Sequence, residues 1–236
     1  YIDISNVREY NVEAGRADTI TQEKLRVIKS SGADRISVNP QTMNNNVLRI
    51  IGRNHTAEDT VRAFFSAREE GFDNINMDLI AGLPSDTAES YHQTLDRIID
   101  LNPESITVHT LTIKRSAKIY EDDIEKYLTA PASEMVNESI RTLPENGYLP
   151  YYLYRQKNTV ENLENIGFAK KERESLYNIF IMDETQTILG AGCAASTKIV
   201  QPNGKITRIH NYKFPYEYIN RFDDLMRKKQ IIYELI

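Results

Sequence analysis

The sequence predicts an α/β fold built on a parallel β-sheet, followed by a smaller α+β region. Three observations carry that prediction. Strand-like and helix-like segments alternate over residues 10–113. Capping residues and glycines open and close the helical segments where helices need them. After Gly147 the pattern changes to short strand-like runs with short connections. Strand–helix–strand repeats imply right-handed βαβ units and therefore parallel strands.

The elements follow in order. The first strand is YNVEAG, residues 10–15. The helix TQEKLRVIKSSG opens at a Thr21 cap and closes at Gly32, a usual pairing of N-cap and C-terminal glycine. The second strand is DRISVNP, 34–40, and a short helix follows Asn44. The next helix opens at Thr56, carries Asp59 at the capping-box position and ends at Gly71. Val61, Phe64, Phe65 and Ala67 fall at helical spacing along it, which gives it an apolar face. The third strand is NINMDLIAG, 74–82; the helix after it begins at Ser85 and stops before Asn102-Pro103. The fourth strand is SITVHTLTI, 105–113. The strands read as near-continuously apolar, the pattern of strands buried on both faces.

Residues 116–147 read as helical, with a boundary near Pro131 and a stop at Pro144 and Gly147. Beyond them YLPYYLYRQ, SLYNIFIMD, TQTILGAGCAASTKIV and KITRIHNYK read as strands of a more antiparallel unit, and a last helix covers about 215–230. The expected division is 1–128 and 129–236.

Composition narrows the function classes. Hydrophobic residues are 40% and charged residues 27%, as in ordinary globular proteins. A net charge of -5 offers no general attraction to nucleic acid or anionic membrane. The apolar runs are too short to span a bilayer, and no signal-peptide pattern opens the chain. The single cysteine, Cys193, excludes an internal disulfide and fits a reducing cytoplasm. It also excludes an iron–sulfur cluster held by this chain alone.

Polar residues gather at the carboxyl ends of the strands. These are Glu13, Asn39, Gln41, Asp78, His109 and Thr112. Parallel α/β folds bind ligands at those ends, in barrels and doubly wound sheets alike. Asp78 stands inside an apolar run, where a carboxylate must be paired or hydrogen-bonded. Each residue also has a plainer reading. Arg53 suits a solvated helix end, Gln41 a turn and Gly-Leu-Pro a strand exit. His109 lacks a neighbour at metal-ligand spacing and reads as a satisfied core histidine.

The runs DRISVNPQTMNNNVLRIIGRNHT, NMDLIAGLP and SITVHTLTIKRSA together resemble the oxygen-independent coproporphyrinogen III oxidase group of radical S-adenosylmethionine (SAM) enzymes. YYLYRQKNTVENLENIGFAK and ILGAGCAAS resemble its HemZ-like, coproporphyrinogen dehydrogenase branch. The resemblance covers about residues 8–212. It implies a partial (β/α)6 TIM-type barrel lacking its first two βα units, with a C-terminal α+β extension. It implies SAM contacts at Glu13, Gln41, Arg53, Asp78 and, through the backbone, Thr112. Gly190 and Gly192 would lie on the substrate side. Arg155, Lys157 and Arg115 are candidates for the propionates of a porphyrinogen on charge. The motif C-x3-C-x2-C, which would hold a [4Fe–4S] cluster, is absent, so an upstream segment is expected to supply it, the alternative being a natural protein that has lost the cluster.

The resemblance thus implies a cytoplasmic oxidoreductase of haem biosynthesis that turns coproporphyrinogen III propionates into vinyls with loss of carbon dioxide, giving protoporphyrinogen IX. A 5'-deoxyadenosyl radical would abstract the hydrogen, and an electron donor protein such as flavodoxin would supply electrons. No side chain of this chain need be a catalytic acid or base, and none a metal ligand. Two other readings stay open. One is a haem-carrying chaperone, with His109, His55, His92 or Tyr152 as axial ligand. The other is a lyase or hydrolase with Glu13 and Asp78 as acid–base residues.

Overall fold

The computed structural model describes residues 3–112 and 131–235. The first part of the expected helix 116–147, the end of the 105–113 strand and Arg115 lie outside the described residues. Two compact units divide at Leu176/Tyr177.

The first unit is an α/β sheet. Strands β1 (Asn11–Gly15), β2 (Arg35–Val38), β3 (Ile75–Ala81) and β4 (Ser105–Thr110) are joined by helices α1 (Gln22–Ser30), α2 (Asn45–Ile50), α3 (Ala57–Glu69) and α4 (Ala88–Leu101). Helix α5 (Ala132–Glu145) leads to β5 (Leu149–Tyr154) and β6 (Asn165–Ala169). The sheet order is β1-β2-β3-β4-β6-β5. β1 to β4 pair in parallel, and β6 runs antiparallel to both β4 and β5. An antiparallel edge on an otherwise parallel sheet is a common form of mixed α/β sheet. Against the expected division at 128/129, β5 and β6 belong with the sheet, because β6 carries the hydrogen bonds of both β4 and β5.

Local chemistry explains the helices. Thr21 caps α1 by accepting from Lys24 N, and Asn44 caps α2 by accepting from Asn46 N and Val47 N. Thr56 and Asp59 form the expected capping box on α3. The cap of α4 is Thr87 rather than Ser85; Ser85 has φ 61° and cannot enter the helix. Asn102, left-handed at φ 59°, ends α4 before Pro103.

The core lies between the helices and one face of the sheet. Leu25, Phe64, Leu95, Ile98, Met135 and Leu143 of the helices pack with Ile36, Val38, Met77, Leu79, Ile106, Val108 and Phe168 of the strands. The strands are therefore not apolar on both faces. Alternate residues (Asn11, Glu13, Arg35, Ser37, Asn76, Asp78, Ser105, Thr107, His109) form a second, polar face. The side-chain period of two along a strand puts all of them on that side. The sequence N-V-E, R-I-S, N-M-D and S-I-T-V-H carries the alternation openly.

The second unit holds the hairpin of β7 (Ser196–Val200) and β8 (Ile206–His210), paired antiparallel. It also holds helices α6 (Leu176–Asp183), α7 (Pro215–Asn220), α8 (Phe222–Lys229) and α9 (Ile232–Leu235). SLYNIFIMD, expected as a strand, is helix α6. Short apolar runs do not distinguish strand from helix by periodicity. Here the buried Lys198 Nζ donates to Phe180 O and Ile181 O (3.1 and 3.3 Å) near the helix C-terminus, where a cation satisfies the free carbonyls. The strand expected over TQTILGAGCAASTKIV shrinks to β7, with Ile188 bridging Lys198. The expected last helix breaks at Arg221 into α7 and α8.

Candidate functional site

The polar face is wired as one row of hydrogen bonds. At its floor lies Arg35, 1% exposed. Its guanidinium donates to Asn74 Oδ1 (3.0 Å), Arg173 O (2.9 Å) and Ser105 Oγ (2.6 Å). Ser105 Oγ and Thr107 Oγ1 donate to Asn76 Oδ1 at 2.8 and 3.2 Å. Asn76 Nδ2 then donates to Asp78 Oδ1 at 2.7 Å. The other oxygen, Asp78 Oδ2, lies 3.5 Å from His109 Nε2. The row runs from full burial at Arg35 to half-burial at Asp78 and His109, so it opens toward the carboxyl ends of the strands.

Asp78 is thus satisfied within the protein, by an amide on one oxygen and an imidazole near the other. A carboxylate offers about four acceptor positions, so acceptor capacity remains for a ligand. His109 is more than a core histidine. Burial acts to lower its pKa, but hydrogen bonds to Asp78 and Asn165 and the charges of Asp78 and Glu13 outweigh burial, and the imidazole is held above its ordinary 6.5.

Glu13 joins the row from β1. Asn11 Nδ2 donates to its Oε1 (2.9 Å) and Ser37 Oγ to its Oε2 (2.5 Å). At the exit of β2, Asn39 Oδ1 is buried and, among the described residues, without a hydrogen-bond partner, an acceptor that suits a donor-rich ligand. Gln41 is placed by its backbone. Its φ is 67°, its N–H donates to Asp78 O and its carbonyl accepts from Ile80 N, both at 2.9 Å. The exit of β2 is clipped in this way to β3 on either side of Leu79.

The remaining candidates fall elsewhere. Arg53 is half-buried with the loop after β1. Burial and then the positive charge of Arg16 lower its pKa, against the pull of Asp18. His55 lies in the same cluster, buried, its Nε2 3.4 Å from Pro40 O and its Nδ1 3.8 Å from Asp18. Thr112 donates to Gln156 Oε1 at 3.0 Å and bridges Thr159. Arg155 is ion-paired with Glu164, and Lys157 is exposed. Gly190 and Gly192 lie in the second unit, where Asn211 Nδ2 donates to both carbonyls (3.4 and 2.6 Å). A Cβ on Gly190 would lie 2.6 Å from Ser196 O, so that glycine answers to the close approach of the β7 backbone. Gly82 likewise answers to packing. Its φ is 81°, and a Cβ there would lie 2.9 Å from Ala132 Cβ of α5, so helix α5 rather than a ligand accounts for this glycine. His92, between Glu138 (2.6 Å) and Asp96 (3.5 Å), is an exposed helix-surface pair.

Sequence reasoning passed over Ser37, Asn76, Thr107 and the role of His109. Their signal was the period-two alternation above.

The comparisons with known proteins bear on the family and on the fold. Residues 9–98 match the model of the radical SAM superfamily. Residues 9–98 are a radical SAM domain. The chain is 46% identical over 96% of its length to the oxygen-independent coproporphyrinogen-III oxidase-like protein HemZ of Bacillus subtilis (strain 168), and covers 46% of that protein. It is 29% identical over 80% of its length to heme chaperone HemW of the same organism, covering 48% of it. Among solved structures, coproporphyrinogen III oxidase (HemN) from Escherichia coli aligns with 92% of this chain and 49% of that chain, at TM-score 0.69 and 24% identity, a likeness of fold. These similarities are to the radical SAM superfamily over residues 9–98 and to the HemZ-like coproporphyrinogen oxidase group. It spans about half the length of the curated relatives it matches.

The radical SAM match over residues 9–98 implies SAM and a [4Fe–4S] cluster. The polar row and the Asn39 oxygen, unpartnered among the described residues, fit a ligand rich in hydroxyl and ammonium donors such as SAM. The cluster does not fit the residues present. The chain has one cysteine, and among the described residues no group of three His, Cys, Asp or Glu is arranged for a metal. Among the described residues no helix is long and apolar enough to cross a membrane.

Proposed function

We propose that this chain forms the SAM-binding and substrate-facing part of a radical SAM oxidoreductase that oxidatively decarboxylates coproporphyrinogen III to protoporphyrinogen IX. One observation carries the reading: in a chain 46% identical to HemZ, Glu13, Asp78 and His109 share one hydrogen-bonded face that opens at the strand ends. SAM, when bound, would supply a hydrogen-abstracting radical on receiving one electron from an iron–sulfur cluster that these residues do not hold. The work of this chain is binding, orientation and exclusion of water.

Glu13 and Asp78 accept hydrogen bonds from ribose hydroxyls or the methionyl amine. Asn76, Ser37 and Asn11 hold those carboxylates in fixed rotamers, so little ordering is needed on binding. Arg53 offers its guanidinium fork to the methionyl carboxylate; its depressed pKa still leaves it charged near neutrality. Gln41 and Thr112 contribute backbone positions, and Arg155 and Lys157 face the propionates. Arg155 must then exchange Glu164 for its new partner. Gly190 and Gly192 are assigned to the substrate side. A cytoplasmic protein supplied by an electron donor such as flavodoxin completes the proposal.

The test is anaerobic reconstitution of the full-length protein with iron, sulfide and SAM, assayed for 5'-deoxyadenosine and for carbon dioxide from coproporphyrinogen III. Both products are expected, and Asp78→Ala should weaken SAM binding. An intact, reconstituted protein that yields neither product would sink the reading. The HemW relatives support a second reading, haem binding, for which titration with haem should produce a Soret band.

A further inference from the structure

Gly167 sits in the middle of β6, paired with Thr107 of β4 on one side and Tyr152 of β5 on the other. Its backbone is not in the left-handed region, and glycine weakens a strand interior, so the reason for it must be spatial. A Cβ there would lie 2.7 Å from Tyr152 Cζ and closer still to Cε1 and Cδ1. The Tyr152 ring therefore crosses β6 through the space that the missing side chain leaves. It reaches toward Thr107, which is paired with Asp78 on β3.

Tyr154, two residues on and on the same face, holds its ring at 14° to that of Tyr152, with centroids 6.3 Å apart. Both rings are half-buried. Burial raises both hydroxyl pKa values, with Asp78 adding to the rise, so both are neutral phenols at working pH. The result is two near-parallel aromatic rings beside one half-buried carboxylate and one imidazole.

The geometry points to a binding site for an aromatic ring that carries an N–H donor. The ring stacks on Tyr152 and Tyr154, and its N–H is directed at the Asp78 carboxylate, with His109 at the edge. Aromatic rings associate by offset or edge contact at these separations, and a carboxylate favours the N–H edge of a heterocycle. Two sources share that chemistry: the adenine of the cofactor and a pyrrole of a tetrapyrrole. The inference rests on the proposed function only for naming those sources.

The experiment measures the affinity of the full-length protein for adenosine by calorimetry and for coproporphyrin III by absorbance titration. Wild type is compared with Tyr152→Phe, Tyr152→Leu, Tyr154→Leu and Gly167→Ala, each checked by circular dichroism for native folding. Tyr152→Phe should bind like wild type. Tyr152→Leu and Gly167→Ala should lose about 10-fold in affinity for at least one probe, the size typical of a base stacked on an aromatic side chain. If Tyr152→Leu does not fold, Tyr154→Leu carries the same comparison. Loss confined to adenosine assigns the rings to the cofactor, and loss confined to coproporphyrin assigns them to the substrate; both support the site. Unchanged affinity for both probes in a folded leucine variant overturns it, as does failure of the wild type to bind either probe. A wild type that forms 5'-deoxyadenosine while the leucine variants keep full affinity removes this site and leaves the proposed function standing.

Discussion

Gly82→Ala isolates the reason for the glycine in D-L-I-A-G-L-P. The substitution meets two obstacles. The backbone at Gly82 has φ 81°, and an L-residue in left-handed conformation costs about 1–2 kcal/mol. The new Cβ would also lie 2.9 Å from Ala132 Cβ, and overpacking of a close-packed contact costs about 1–3 kcal/mol. The sum is about 2–5 kcal/mol. Gly15→Ala provides the control, since Gly15 has φ 69° with nothing among the described residues within 4 Å of a Cβ and should lose only the backbone part. Urea unfolding of the full-length variants, followed by circular dichroism, separates the two. With slopes of about 1–3 kcal/mol/M, the midpoint of Gly82→Ala should fall below that of Gly15→Ala by about 1 M. In an Ala132→Gly background the steric part should be recovered and the backbone part should not. Equal midpoints for the two alanine variants would refute the packing account and return Gly82 to the ligand.

Three further outcomes are expected. Arg35→Met leaves Asn74 Oδ1, Arg173 O and Ser105 Oγ without their buried donor, at about 3 kcal/mol or more, read as a lowered urea midpoint; no change would mean that water takes the guanidinium's place. The His109 pKa is raised in the folded state, so its stabilising contribution is complete below the unfolded value of 6.5 and is lost as pH rises through the folded value. The stability gap between wild type and His109→Gln should therefore be larger at pH 6 than at pH 8.5, and a gap that grows with pH would contradict the Asp78–His109 pairing. Thr56→Ala removes the capping box of α3 and should lower stability by about 1 kcal/mol; a loss below the error of the thermal melt would count against the box as a stabilising element.

Much of this protein was legible without coordinates, because its signals are local. Thr21, Asn44 and Thr56 announce their helices through side chains that reach only two or three residues. The alternation N-V-E, R-I-S, N-M-D and S-I-T-V-H is local too and, by the period of a strand, makes one sheet face polar, although the strands read at first as apolar on both faces. Tertiary structure alone decided what that face does. Arg35, Ser105, Asn76 and Asp78 become one hydrogen-bonded row only through the registers β2–β3 and β3–β4, and register is a long-range property. The same holds for Gly82 and Gly167. Each is a glycine because of a side chain far along the chain, Ala132 in one case and Tyr152 in the other, and no local pattern encodes which neighbour will arrive. The place of β5 and β6 in the sheet was hidden for the same reason: strand pairing is decided by hydrogen bonds between segments that meet only after the chain has folded.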